Sequence, residues 1–293
     1  MISEQVLVET ADRVATVTLN RPAARNALNR ATQYALWDAI AAADQDSGVD
    51  VVILTGTDPA FCAGIDLKEA GGEVPPSAAP PDPGSGDSGG SGGSGDSGPS
   101  GQGHGRPSRD ASGLYRFLPV TRKPVIGAIN GPAVTGGLEV ALQCTFLVAS
   151  ERARFADTHG RIGVMPGGGM TVLLARTVGL RKAIEMSLTG NFMAAPEALA
   201  LGLVNHVVPH EELMPAARRL AADIASCDQR SVTTLLAHYR RLDHAASLDE
   251  AHLLEGLMAE TWQPGMSLVR ERRTDVTARG RAQARALGAS RPG

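Results

Sequence analysis

A chain of 293 residues is long enough to bury a sizeable core, in one large domain or somewhat more. Its net charge of −3 gives no reason to expect nucleic-acid binding, and its three cysteines, Cys62, Cys144 and Cys227, do not make a disulfide framework. Neither Cys nor His falls at metal-ligand spacing, and the start carries Glu4, Glu9 and Asp12 without the basic-then-apolar run of a signal peptide, so a cytoplasmic location is expected.

In chain order, Val6–Glu9 and Val14–Leu19 read as two short strands joined by a hairpin at Ala11-Asp12-Arg13. Asn29 suits the N-cap of a helix to about Asp46, with Tyr34, Trp37 or Leu36, Ile40 and Ala41 on its apolar face. Val51–Leu54 is apolar throughout, as a strand buried on both faces should be. Next, Phe61-Cys62-Ala63-Gly64-Ile65-Asp66-Leu67-Lys68 runs from apolar residues through a glycine toward a helix. Composition then changes abruptly. From Gly84 to Gly105, 17 of 22 residues are Gly or Ser, which predicts a disordered insertion over about 71–110. A lid is one reading of it; a tolerated surface insertion, which costs little stability, is the one preferred.

A second glycine segment runs from Lys123 through Gly127, Gly131, Gly136 and Gly137 to Glu139. Pro124–Ala149 is largely apolar, but Asn130, Gly131, Pro132, Gly136, Gly137 and Glu139 break it, predicting a buried strand, turn and helix rather than a membrane span. In both segments a strand ends in glycine at a helix start, which leaves backbone N–H groups unpaired and suited to negative charge. Converging on one oxygen, two such turns make an oxyanion hole. Glu139 then sits one turn into the second helix, where burial raises a carboxyl's pKa toward a range useful for acid–base work. Strands and helices alternate to about residue 210, the pattern of an α/β fold with parallel strands. Pro166-Gly167-Gly168-Gly169 lacks the Lys-Ser/Thr sequel of a phosphate loop, so it is expected to pack a helix and shape a pocket. Glu211–Arg240 and Leu248 to about Arg281 read as amphipathic helices. The scattered His104, His206, His210, His238, His244 and His252 read as surface or capping residues.

Leu19-Asn20-Arg21-Pro22 before Asn26-Ala27-Leu28, Val51–Gly56, the two glycine segments, Phe155-Ala156-Asp157, Gly163–Gly169 and Ala200–Asn205 resemble, in order and spacing, the crotonase family, also called the enoyl-CoA hydratase/isomerase superfamily. The resemblance covers nearly the whole chain outside the insertion. It implies a crotonase-like spiral of ββα units over residues 1–210 and a C-terminal helical oligomerisation region over 211–293, assembling homotrimers or homohexamers. It implies an acyl-CoA thioester substrate, with coenzyme A as part of that substrate, no metal and no further cofactor. The backbone N–H groups of Ile65 and Gly136 match the family's oxyanion hole, and Arg25, Ala63, Asp66, Leu67 and Lys68 match its coenzyme A contacts. Glu139 matches the first of a hydratase's two glutamates.

His159 stands where the second glutamate belongs. A neutral imidazole offers one donor and one acceptor, half of what two carboxylates supply. Two readings stay open: His159 is the partner base, with Asp157 orienting it or replacing the missing carboxylate, or it only lines the pocket. The resemblance implies an enoyl-CoA hydratase first, an isomerase or other enolate enzyme second, and a non-catalytic acyl-CoA-binding protein third. An aromatic content of 3% hints at aliphatic acyl groups.

Overall fold

Runs of Val, Ile and Leu build the main sheet of the computed structural model, which describes residues 4–72, 116–242, 245–262 and 266–289. β1 (Val6–Ala11) and β2 (Val14–Leu19) form the expected antiparallel hairpin, with Val6 opposite Leu19. Asp12 and Arg13 turn it at φ of 50° and 64°, the hand that matches the twist of paired strands. β3 (Val51–Gly56), β4 (Val125–Ile129), β6 (Phe146–Ser150) and β9 (His206–Val208) add in parallel, giving the order β1-β2-β3-β4-β6-β9. β5 (Pro132–Val134), β7 (Arg154–Ala156) and β8 (Met193–Ala194) form a second, three-stranded sheet. Successive units give one strand to each sheet and then a helix: β4, β5 and α3 (Gly136–Leu142), then β6, β7 and α4 (His159–Ile162). This is the expected α/β spiral of ββα units.

β3 explains why its segment is apolar without a break. Val52 and Leu54 pack with Val17 and Leu19 of β2 and with Leu36 and Ile40 of α1 (Arg30–Gln45). On the opposite face, Val51 and Ile53 meet Ile126 and Ala128 of β4 and Leu213, Ala216, Ala217 and Ala221 of α8 (Leu213–Ala225). Each such large side chain, fully buried, contributes about 1.5–3 kcal/mol. Asn29 caps α1 as expected, its Oδ1 accepting the Thr32 N–H at 2.8 Å. The buried stripe of that helix runs through Leu36, Ile40 and Ala43, an i, i+4, i+7 set. Trp37 and Ala41, the other candidates for the apolar face, lie beside the stripe and are half-buried.

The predicted strand–turn–helix reading of Pro124–Ala149 holds in β4, β5 and α3, and among the described residues no helix is long and apolar enough to cross a membrane. The predicted insertion lies outside the described residues from position 73 to 110. The chain divides into two compact units, residues 1–236 and 237–293. The first extends beyond the boundary expected at 210, because α8 covers one face of the main sheet and belongs to its core. The helix expected over 211–240 is interrupted before α9 (Gln229–Leu242): Asp228 Oδ2 accepts the Ser231 N–H and hydroxyl at 2.9 and 2.6 Å and starts a new helix. In the second unit, Ser247 caps α10 (Leu248–Thr261) by accepting the Glu250 N–H at 3.1 Å, and Glu250 accepts the Ala246 N–H at 2.7 Å. α11 (Met266–Ala289) follows.

His210 proves to be a tie rather than a lone surface residue. Its Nδ1 meets Ser150 Oγ and its Nε2 meets Asp58 Oδ2, each at 3.0 Å.

Candidate active site

The two glycine turns meet. Cys62 bridges Ala133 of β5, and the Val134 N–H donates to Cys62 O at 2.9 Å, so the first segment lies against the second. A Cβ placed on Gly136 would stand 3.4 Å from Ile65 N, so the two amides expected to form the oxyanion hole are neighbours. Neither N–H has a hydrogen-bond partner among the described residues. Gly64 adopts φ +93°, and a Cβ there would lie 2.8 Å from Val134 O, so the residue before Ile65 has to be glycine. At Gly137 a Cβ would fall 2.1 Å from Cys62 O, a backbone atom that cannot move aside. Gly137→Ala is therefore expected to lower stability by about 1–3 kcal/mol and to displace the neighbouring Ile65 and Gly136 amides. Thermal unfolding and acyl-CoA titration of the variant measure both.

Thr135 is a β-branched residue held at φ 52°, a strained left-handed conformation just before Gly136. What holds it is a set of cross-connections: its N–H donates to Ala156 O at 2.9 Å, and its hydroxyl meets that of Thr158 at 2.5 Å. The turn carrying the Gly136 amide is thus tied to the segment carrying Asp157 and His159.

Glu139 lies on α3 and is 2% exposed. Its Oε1 accepts the N–H groups of Gly168 and Met170 at 2.8 and 3.2 Å. The Pro166–Gly169 stretch therefore holds a carboxyl group, and it leads into a π-helical turn at Met170–Leu174, a geometry common at functional sites. Burial pushes the Glu139 carboxyl above its ordinary pKa, and the two N–H bonds offset this only in part.

His159 opens α4 at 7% exposure. Its Nε2 stands 3.9 Å from Glu139 Oε2, too far for a direct hydrogen bond and within the span of one bridging water or reacting atom. Its Nδ1 meets Asp157 Oδ1 at 2.6 Å, and the same oxygen accepts the His159 N–H at 3.1 Å. Ser187, on α6 (Leu180–Thr189), donates its hydroxyl to Asp157 Oδ2 at 2.6 Å. Burial pushes the Asp157 carboxyl up, yet the hydrogen bonds from His159 and Ser187 prevail and hold it below the usual carboxylate range.

Several of these residues carried no sequence signal as site residues. Ser187 is one. Gln143 is another: it accepts the Phe117 and Leu118 N–H groups at 3.0 and 2.9 Å and donates to Gly168 O at 2.7 Å, pinning two loops over α3. A Cβ on Gly168 would stand 2.5 Å from the Phe117 ring and 3.0 Å from Glu139 Cδ, so that ring closes over the carboxyl.

The expected coenzyme A contacts fall on one continuous feature. Arg25 is exposed, and its carbonyl accepts the Ala63 N–H at 3.0 Å. Leu67 and Lys68 are exposed on α2 (Leu67–Ala70), whereas Asp66 serves the fold by capping that helix and pairing with Arg21 at 2.9 Å. Among the described residues no group of three His, Cys, Asp or Glu side chains is arranged to hold a metal ion.

The sequence profile of the enoyl-CoA hydratase/isomerase family matches residues 9–82 and 99–272. A protein named "Probable enoyl-CoA hydratase 1, peroxisomal" from Arabidopsis thaliana is 36% identical over 87% of this chain and 84% of its own length. The short-chain-enoyl-CoA hydratase of Clostridium acetobutylicum is 36% identical over 75% of each. The crystal structure of enoyl-CoA hydratase from Mycobacterium tuberculosis H37Rv superposes with a TM-score of 0.67 at 42% identity, over 87% of this chain and 99% of that one.

Proposed function

This chain belongs to the enoyl-CoA hydratase/isomerase family, and from that premise we propose that it hydrates trans-2-enoyl-CoA thioesters. The observation that carries the reading is the buried pair Glu139 and His159, facing each other at 3.9 Å, with the Ile65 and Gly136 amides that have no partner among the described residues. Oε1 of Glu139 is occupied by two N–H donors, so its proton belongs on Oε2, the oxygen that faces His159.

The reaction then balances with protons alone. Water bonds to C3 of the substrate as one of its protons passes to His159 Nε2. The π electrons move through C2 to the thioester oxygen, where the N–H groups of Ile65 and Gly136 stabilise the enolate. One such donor is worth about 2.7–4 kcal/mol of barrier. Glu139 gives its proton to C2, and the imidazolium returns one to Glu139. Coenzyme A enters and leaves as part of the substrate, held along Arg25, Ala63, Leu67 and Lys68, with Asp66 as their scaffold.

The same reading makes the protein a homotrimer or homohexamer. Leu248, Leu253 and Leu257, exposed at 72%, 64% and 49% on α10, support it, as apolar faces of that kind serve subunit contacts. Its three free thiols fit a reducing cytoplasm.

Incubation with short- and medium-chain trans-2-enoyl-CoAs, read by mass spectrometry, tests the activity. Gain of one water to give the 3-hydroxyacyl-CoA is expected. A double-bond shift without mass change would reassign the enzyme to isomerisation, for which one base suffices. Tight binding without turnover would make it a carrier.

A further inference from the structure

We propose that Asp157 and Ser187 are positioning residues that fix the His159 ring in the tautomer with a bare Nε2, making it the base for water. The proposal deepens the hydration reading and rests on it.

The partners of the two ring nitrogens differ, and that difference selects the tautomer. An ionised carboxylate only accepts hydrogen bonds, so the hydrogen between Asp157 Oδ1 and His159 Nδ1, 2.6 Å apart, belongs to the ring nitrogen. In the neutral imidazole the second nitrogen then carries only a lone pair, and that nitrogen is the one facing Glu139. Asp157 cannot rotate to release the ring. Its Oδ1 also accepts the His159 N–H at 3.1 Å, and its Oδ2 accepts the Ser187 hydroxyl at 2.6 Å. Asp157 is 1% exposed, so water does not compete for its oxygens. The chain Ser187–Asp157–His159 ends 3.9 Å from Glu139 and supplies through an imidazole the acceptor that a carboxylate would offer.

Asp157→Ala removes the arrangement. Nδ1 loses the acceptor that holds its proton, and the ring proton moves to Nε2, turning the base into a donor. Two-bond proton–nitrogen NMR of 15N-labelled protein, with His159→Gln identifying the signal, reads the tautomer without any substrate. The expected result is protonated Nδ1 in wild type and protonated Nε2 in Asp157→Ala, with kcat lower by about 10–100-fold and KM changed by less than about threefold. Ser187→Ala, a milder change that keeps the fold, is expected to lower kcat several-fold, and Ser187→Thr to restore it. Protonated Nε2 in the wild type, or full kcat in both Asp157→Ala and Ser187→Ala, would overturn the proposal. Wild-type protein that hydrates no enoyl-CoA overturns the hydration reading instead, and the tautomer still decides the positioning claim.

Discussion

Glu139→Gln is expected to lower kcat for enoyl-CoA hydration by about 10²–10⁴-fold with little change in acyl-CoA affinity. The amide fills the same volume, and its oxygen still accepts the Gly168 and Met170 N–H groups that hold the side chain. What it lacks is a transferable proton opposite His159. The pH profile separates this account from a general loss of packing. Burial raises the Glu139 pKa, so the acid form persists above the ordinary carboxylate range and kcat/KM falls as pH rises through the raised value. That limb is expected to vanish in the variant. Stability moves in the same sense. A group with a raised folded-state pKa stabilises the fold fully below its unfolded pKa, and that contribution disappears as pH rises through the folded value. Glu139→Gln should therefore unfold at an equal or higher temperature than wild type at alkaline pH. A variant that keeps kcat within about threefold would remove Glu139 from the mechanism.

His159→Ala is expected to cost about 10²–10³-fold in kcat, the range for loss of a general base, and partial rescue by added imidazole is expected. The backbone N–H of residue 159 and the Ser187 hydroxyl still reach Asp157, so the surrounding segment keeps its anchors. The two readings of His159 predict different outcomes here. If the ring only lines the pocket, truncation enlarges the acyl site and shifts KM among substrates of different length while kcat survives. If it is the base, kcat collapses for every chain length. Survival of kcat would leave Glu139 as the single acid–base group, as a proton-shift reaction needs.

Much of this was legible in the chain itself. The Asn29 cap, the unbroken apolar β3 and the breakers between Pro124 and Ala149 act through neighbours in sequence, and each formed as read. Where a helix boundary or face was misjudged, a tertiary contact decided it. α8 joined the first unit because its small residues fit the sheet, and Leu36 took the core position because α1 is oriented by β2 and β3.

The sequence by itself determined the two glycine turns and the carboxyl one helical turn after the second. These follow from local stereochemistry, in which glycine alone permits close backbone approach, whereas His159 in place of a second carboxyl is what the family resemblance implies. Only the tertiary structure decided what the imidazole is connected to. Ser187 lies 30 residues from Asp157, and the amides that hold Glu139 lie 29 and 31 residues from it. Such partners are chosen by the packing of α3, α4 and α6, and a hydrogen bond between distant segments leaves no periodicity or spacing in the chain to read.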